Sequence, residues 1–499
     1  MKLLRPLLLL AVCAAFLTAC RKDQDFTDGS GITLEFSRDT ILFDTIFTQA
    51  PFSVNKRFVV RNPSNNAVRV DIALQGGTPS PYRINVDGAS GISFDNVEIY
   101  GGDSIFVFVE VTLDQNNSNN PFIIEDHIQF NTNGNDQQVL LLAWGQDAHF
   151  IFPDQSIQGL PRFSYIAGGF DENGNQICET VTWPDDLPYV IYGYGVVDSC
   201  CTLIIEPGVD IYMHGGAGLW VYRYGQLKAD GDISQEITFQ GDRLEPAFDE
   251  LPGQWDRIWL NEGPADFSNT MSNVVIKNAL VGIQCETFPF NPNEPTSEQK
   301  LKMLNVKIRN CSAAGILSRN YTIEATNLLV GDCGQYSVAL TGGGQYMFDH
   351  FTIANYWDYD IRQTSAFYMN NAYADITGAL QIRDITNSVF KSGIIHGSNE
   401  NEFLMEFNEL IIPTVGDLSF DHTMFRTTEP TNTEYFPDQS SIHRNQNPAF
   451  RDIALRDLHI TVNSFARDKA NTIGEFFDLD GNPRGNDGFP DLGCYEYVE

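Results

Sequence analysis

The sequence repeats itself. Asn273-Val274-Val275-Ile276-Lys277-Asn278 is followed by Asn305-Val306-Lys307-Ile308-Arg309-Asn310, then by Asn327-Leu328-Leu329-Val330-Gly331-Asp332 and His350-Phe351-Thr352-Ile353-Ala354-Asn355. Asn387-Ser388-Val389-Phe390-Lys391-Ser392 is a weaker member. The steps from Asn305 to Asn327 and from Asn327 to His350 are 22 and 23 residues. A unit this short has no core of its own and buries its apolar stripe only by stacking on its copies. The period suits a coil of three short strands and three turns. Val274, Val306, Leu328 and Phe351 are therefore expected in one inward column, and Ile276, Ile308, Val330 and Ile353 in another, with about 4.8 Å between coils. Asn278, Asn310, Asp332 and Asn355 then stack at one corner, where their side chains hydrogen-bond the turns.

The coils need not fill the whole chain. At 499 residues it is too long for one compact core, so more than one domain is expected. From Ile32 to about Phe150 the pattern changes to period-two alternation, as in Val68-Arg69-Val70-Asp71-Ile72-Ala73-Leu74, with Gly, Pro and Asn between runs. That pattern predicts an antiparallel sandwich. The order Val60-Arg61-Asn62-Pro63, Gly101-Gly102-Asp103-Ser104 and Phe130-Asn131-Thr132-Asn133-Gly134 resembles immunoglobulin-like domains of exported bacterial proteins.

Two further stretches resemble known β-helix proteins. Leu203-Ile204-Ile205-Glu206-Pro207-Gly208-Val209 through Leu227-Lys228-Ala229-Asp230-Gly231 is similar to the opening coils of pectate-lyase-like proteins. Asn447-Pro448-Ala449-Phe450-Arg451-Asp452, Asp480-Gly481-Asn482-Pro483-Arg484 and Asp491-Leu492-Gly493-Cys494-Tyr495 resemble the closing segment of exported β-helix proteins. The resemblance implies an all-β chain in which an Ig-like β-sandwich is followed by a right-handed parallel β-helix. The expected organisation is a signal peptide at 1–19, a lipidated tether at 20–31 and the sandwich at 32–150. A connecting segment and N-terminal cap at 151–200, the β-helix at 201–446 and the closing segment at 447–499 complete it.

The address lies at the N-terminus. Lys2 and Arg5, an apolar run over 7–16 and the small-residue ending form an export signal, and the run is too short to span a bilayer. Leu17-Thr18-Ala19-Cys20 resembles the lipobox of bacterial lipoproteins, which implies cleavage before Cys20 and its acylation. Arg21-Lys22-Asp23-Gln24-Asp25 resembles the charged tethers of surface-exposed lipoproteins of Bacteroidetes-type bacteria. The expected location is the cell envelope, as an outer-membrane lipoprotein held to the membrane by its lipid. A net charge of −34 argues against nucleic acid as a partner, because phosphate would be repelled. Seven of the nine cysteines remain beyond Cys13 and Cys20. Cys178 is expected to bridge Cys200 or Cys201. Cys311 and Cys333, at matching places in adjacent coils, are expected as stacked free thiols.

Function is the least legible level. Lys277, Arg309, Lys391 and Arg426 form a partial basic stripe after the aligned strands. If the chain is a lyase, Lys277 and Arg309 are the candidate catalytic residues, because a base must take the proton beside a carboxylate that cations neutralise. Ca²⁺ is expected only in that case, and no other cofactor. The surplus residues at 286–300 and 356–373 read as projecting loops. In the second, Tyr356, Trp357, Asp358, Tyr359 and Asp360 offer rings and carboxylates to a sugar. His350 and His422 take the turn position held elsewhere by Asn. Asp478, Asp480, Asp487 and Asp491 depart from Ca²⁺-loop spacing and are read as partners of Arg484, so no metal site is assigned. The favoured function is binding of glycan or another surface ligand. The alternatives are a polysaccharide lyase or glycoside hydrolase acting on an anionic polysaccharide, and a structural or adhesive stalk.

Overall fold

The computed structural model describes residues 25–48, 54–114, 122–289, 291, 295–375, 377–408, 415–431, 434–470 and 476–499. The signal peptide, the Cys20 lipidation site and the start of the tether lie outside them. The chain divides into two units, 1–147 and 148–499. Among the described residues both are built from strands, with a single short 3-10 turn at Gln439–Ser441 and no α-helix.

The first unit holds two five-stranded sheets. One orders Glu35–Phe36, Val54–Arg61, Ser104–Val111, Tyr82–Val86 and Ala89–Gly91, and the other orders Thr40–Phe47, Asn135–Gln146, Phe122–Thr132, Val68–Leu74 and Ser93–Ile99. Pairing is antiparallel except between Asn135–Gln146 and Thr40–Phe47, which run parallel. The alternation read from sequence is realised, since Val68, Val70, Ile72 and Leu74 all point into a core shared with Phe58, Val60, Val107 and Val109. Buried Asn62 ties the turns together, donating to Asn66 O at 2.8 Å and Ile99 O at 3.0 Å.

The second unit is a parallel β-solenoid with three faces. The coils lend strands to the three faces, and the strands of each face pair in parallel with their counterparts in the next coil. The first face runs from His149–Ile151 through Tyr189–Ile191, Asp210–Met213 and Ile237–Gly241 to 274–277, 306–309, 328–331, 351–355, 394–397 and 423–425. The second contains Tyr194–Val197, Gly218–Val221, Ile258–Leu260 and Val281–Glu286, and the third Thr202–Ile205 and Gln226–Asp230. Strands within 151–200, the stretch expected as a connection, already belong to this ladder.

The inward columns are those expected. Val274 pairs with Val306, Val306 with Leu328 and Leu328 with Phe351, and Ile276, Ile308, Val330 and Ile353 follow the same order. All eight are fully buried. Column volume is conserved locally: Phe351 fills the space at Gly393, where a Cβ would stand 2.1 Å from its Cζ.

Corners are set by residues that tolerate left-handed backbone. Asn273, Asn305, Asn327, His350, Ser392 and His422 have φ between 43° and 55° at the turn from the third face to the first. Asn278, Asn310 and Asp332 are left-handed at the next corner, with φ between 50° and 64°. Their amides form ladders: Asn327 donates to Asn305 at 2.9 Å, Asn305 to Asn273 at 3.1 Å and Asn310 to Asn278 at 2.6 Å. His350 and His422 thus serve as corner residues. The weaker repeat is displaced, because Ser392, not Asn387, follows His350 at this corner. Lys391 consequently faces Asp349 on the third face and does not extend the Lys277–Arg309 column.

Cys178 bridges Cys200, while Cys201, Cys285, Cys311, Cys333 and Cys494 are free and buried. The closing segment lies against the outward side of the first face. Leu458, Leu479 and Tyr495 cover Leu329 and Ala354, and Ile460, Ala466 and Leu492 cover Ile394 and Met424. Arg484 takes Glu496 as its carboxylate partner, at 3.0 Å, in place of the expected aspartates. Asp478 instead accepts backbone N–H groups from Asp480, Asn482 and Glu496, holding the turn.

Candidate functional site

The sequence candidates fall in two places. Lys277 and Arg309 are register neighbours on the outer side of the first face. Each already has an acid: Lys277 Nζ lies 2.6 Å from Asp249, and Arg309 Nη1 lies 3.0 Å from Glu250. Lys307 pairs with Glu236 at 3.0 Å, and Arg456 of the closing segment pairs with Glu250 at 2.7 Å. They line a hollow of about 430 Å³, but its cations are matched internally, so it presents no surplus positive charge. Next in the column come Gly331 and Ala354, which carry none.

The aromatic loop is folded down along the solenoid. Trp357 is 8 % exposed, its indole donating to Asp360 at 2.6 Å. Tyr356 bonds His396 Nδ1 at 2.8 Å through its hydroxyl. Buried Arg362 fixes the segment by donating to Glu402 at 2.8 Å and to Asn355 O at 3.1 Å. Of the five candidates, Asp358, Tyr359 and Asp360 remain at the surface, and Arg456 stands over the Tyr359 ring. Trp357 and Tyr356 therefore serve first as packing, since their faces are turned to the protein.

A different place has the features of a site. On the second face, Leu219-Trp220-Val221 pairs in register with Ile258-Trp259-Leu260, so both aliphatic flanks point inward and both indoles outward. The indoles stack at 4.6 Å and 12°. Tyr222 meets Trp220 edge-on at 5.4 Å, and Phe288 meets Tyr222 edge-on at 5.8 Å. Phe163 and Tyr165 share a strand two coils before Trp220. Phe163, Tyr165, Trp220, Tyr222 and Phe288 line a cavity of about 310 Å³ that also takes in the polar side chains of Gln176, Asp198 and Ser199. That volume and lining, rings with a few convergent polar groups, suit a ligand of about one sugar ring or more. The Cys178–Cys200 disulfide ties the wall carrying Phe170 and Gln176 to the corner carrying Ser199.

The carboxylates beside the cavity are each paired with an arginine. Glu286, 3 % exposed, accepts from Trp259 Nε1 at 2.8 Å and Gln284 at 2.6 Å, and pairs with Arg319 at 3.3 Å. Burial pushes its carboxyl up, against the pull of Arg319. Burial also raises Glu262, which is paired with Arg223. Arg223 lies over Phe288, 5.0 Å from its centroid. Burial and then Asp198 raise the Tyr165 hydroxyl, so it is a neutral donor at pH 7. No group of three or more His, Cys, Asp or Glu among the described residues is arranged to hold a metal ion. No helix among them is long and apolar enough to cross a membrane.

Comparison with known proteins adds little. No family model matches the chain, and no curated protein does. Among solved structures, the E. coli chaperone DraB is 10% identical over 22% of this chain and 54% of its own, with a TM-score of 0.17. The CooA pilin subunit from enterotoxigenic Escherichia coli is 9% identical over 23% of this chain and 98% of its own, also at 0.17. A family 123 glycoside hydrolase from Clostridium perfringens is 7% identical over 24% and 30%, again at 0.17. The chain spans about half the length of the chaperone. Likenesses at this level carry no argument about activity, and the site stands on its own geometry.

Proposed function

We propose that this chain is a lipid-anchored envelope protein whose solenoid binds a glycan at the aromatic cavity of its second face. In this reading the first unit is an Ig-like spacer, the solenoid is a right-handed, pectate-lyase-like β-helix, and acylated Cys20 holds both to the outer membrane. One observation carries the proposal: Phe163, Tyr165, Trp220, Tyr222 and Phe288 surround a cavity whose polar groups are few and grouped together. Aromatic faces take the apolar face of a sugar ring, while Asp198, Ser199 and Gln176 are placed for its hydroxyls. The paired state of Lys277 and Arg309 favours binding over lyase chemistry, which needs a base free to take a proton.

Retention of the detergent-solubilised full chain on immobilised neutral, amino and acidic glycans tests this. Binding to at least one glycan without turnover is expected, weakened about tenfold by Tyr222→Ala. Unsaturated or shortened product would identify an enzyme instead, and absence of both would leave the stalk. For the address, Cys20→Ser should release the protein from membranes, and undiminished membrane association would refute the anchor.

A further inference from the structure

A second, polar hollow lies where the last coils meet the closing segment. His396 follows Ile395, and Arg426 follows Phe425, its register partner, so the two side chains are neighbours on adjacent coils. With Glu400, Thr428 and Gln446 they line a cavity of about 480 Å³. Arg426 spends one N–H on Gly397 O at 2.6 Å, and no carboxylate among the described residues lies within ion-pairing distance of it. In a chain with 65 acidic residues against 31 basic ones, a guanidinium facing a cavity without a paired acid is conspicuous.

The histidine is oriented. Tyr356 hydroxyl bonds its Nδ1 at 2.8 Å, and Tyr356 is itself braced edge-on against Phe450. Burial and the Arg426 charge push His396 down to about 4, so the ring is neutral at pH 7. A neutral imidazole that accepts from Tyr356 at Nδ1 carries its proton on Nε2, which adds a second donor beside the guanidinium. Exposed Glu400, on the rim, offers a carboxylate that can accept from hydroxyls.

We infer that this hollow binds a sugar acid, its carboxylate on Arg426 and His396 Nε2 and its hydroxyls toward Glu400, Thr428 and Gln446. The site is separate from the aromatic cavity and does not depend on the function proposed for it.

The test is calorimetric titration of the full chain with glucuronate, glucose and acetate, together with the His396 ring signals in NMR. Glucuronate should bind at one site at least about tenfold more tightly than glucose, since a hydrogen bond to a charged group contributes about 1.5–3 kcal/mol. It should also shift the His396 signals. Arg426→Gln should lose about tenfold or more in affinity, and Arg426→Lys should keep part of it. Acetate binding as tightly as glucuronate would assign the site to any carboxylate; a tenfold weaker acetate assigns it to the sugar acid. The inference fails if glucuronate and glucose bind alike or if glucuronate leaves His396 unmoved. It also fails if folded Arg426→Gln binds as well as the parent.

Discussion

Arg484 Nη2 donates to Asn327 Oδ1 at 2.7 Å, joining the closing segment to the asparagine ladder of a coil 157 residues earlier. The same side chain reaches Glu496 at 3.0 Å and the carbonyls of Gly493 and Cys494. It is a buried cation at the end of a column of amides, bonded through both Nη atoms while its Nε has no partner. Its removal strands Glu496 without a counter-charge. Arg484→Met should therefore destabilise the solenoid by about 3–5 kcal/mol. The double change with Glu496→Gln should recover part of that loss. Urea denaturation checks both, and a loss below about 1 kcal/mol would show that the pairing does not hold the segment.

The interior of the last coils is a stack of rings. Phe390 and Phe420 are register partners stacked at 4.8 Å, and Phe367 stacks on Phe403 at 5.4 Å. Phe420→Ala should lower stability by about 3–5 kcal/mol. Val389, one residue before Phe390, is on the outer side and exposed. Val389→Ala is expected to change stability by no more than about 0.5 kcal/mol. Comparable losses from the two would contradict the alternation.

Trp357 separates packing from binding. Because its indole is buried and bonded to Asp360, Trp357→Ala should cost about 3–5 kcal/mol of stability. Glycan affinity, measured where the variant is still folded, should be unchanged. Loss of affinity without loss of stability would return the site to the 356–373 loop.

The closing segment also carries a pH signature. Burial, then Glu496, raises Asp491 from 3.8 to about 7, while backbone N–H groups of Tyr497 and Asp468 oppose the shift. A carboxyl raised in the folded state binds its proton there while the unfolded chain has released it. Its contribution to stability is thus greatest below about pH 4, falls as pH rises to about 7 and is flat above. Relative to Asp491→Asn, the parent should lose stability between pH 4 and 7. A difference that is constant or rises over that range would refute the assignment.

Much of the solenoid was readable from sequence because its corners use a residue type with a backbone preference. Asn273, Asn305 and Asn327 mark the same turn in successive coils, and the inward columns follow from counting onward. The weaker repeat misled for a physical reason. A hairpin, Ala372–Ala374 with Leu380–Ile382, is inserted between the second and third faces, and Asn387 stands at the end of it. Asn387 lies after Ile385 on the third face, beside Asp417 of the next coil, and both are left-handed at φ 49° and 55°. The aromatic cavity had half a signal. Trp220 and Trp259 each sit between two inward aliphatics, but the insertion at 242–257 hides that they are neighbours. Arg484 and Glu496 carry no periodicity, so only the fold pairs them.

The most direct test of the central claim is a crystal structure of the full chain with the tightest-binding glycan from the retention assay. A sugar ring stacked in the cavity between Trp220, Tyr222 and Phe288, with hydroxyls on Asp198 or Ser199, is the expected result. A sugar bound over Lys277 and Arg309 on the first face, with the aromatic cavity empty, would contradict it.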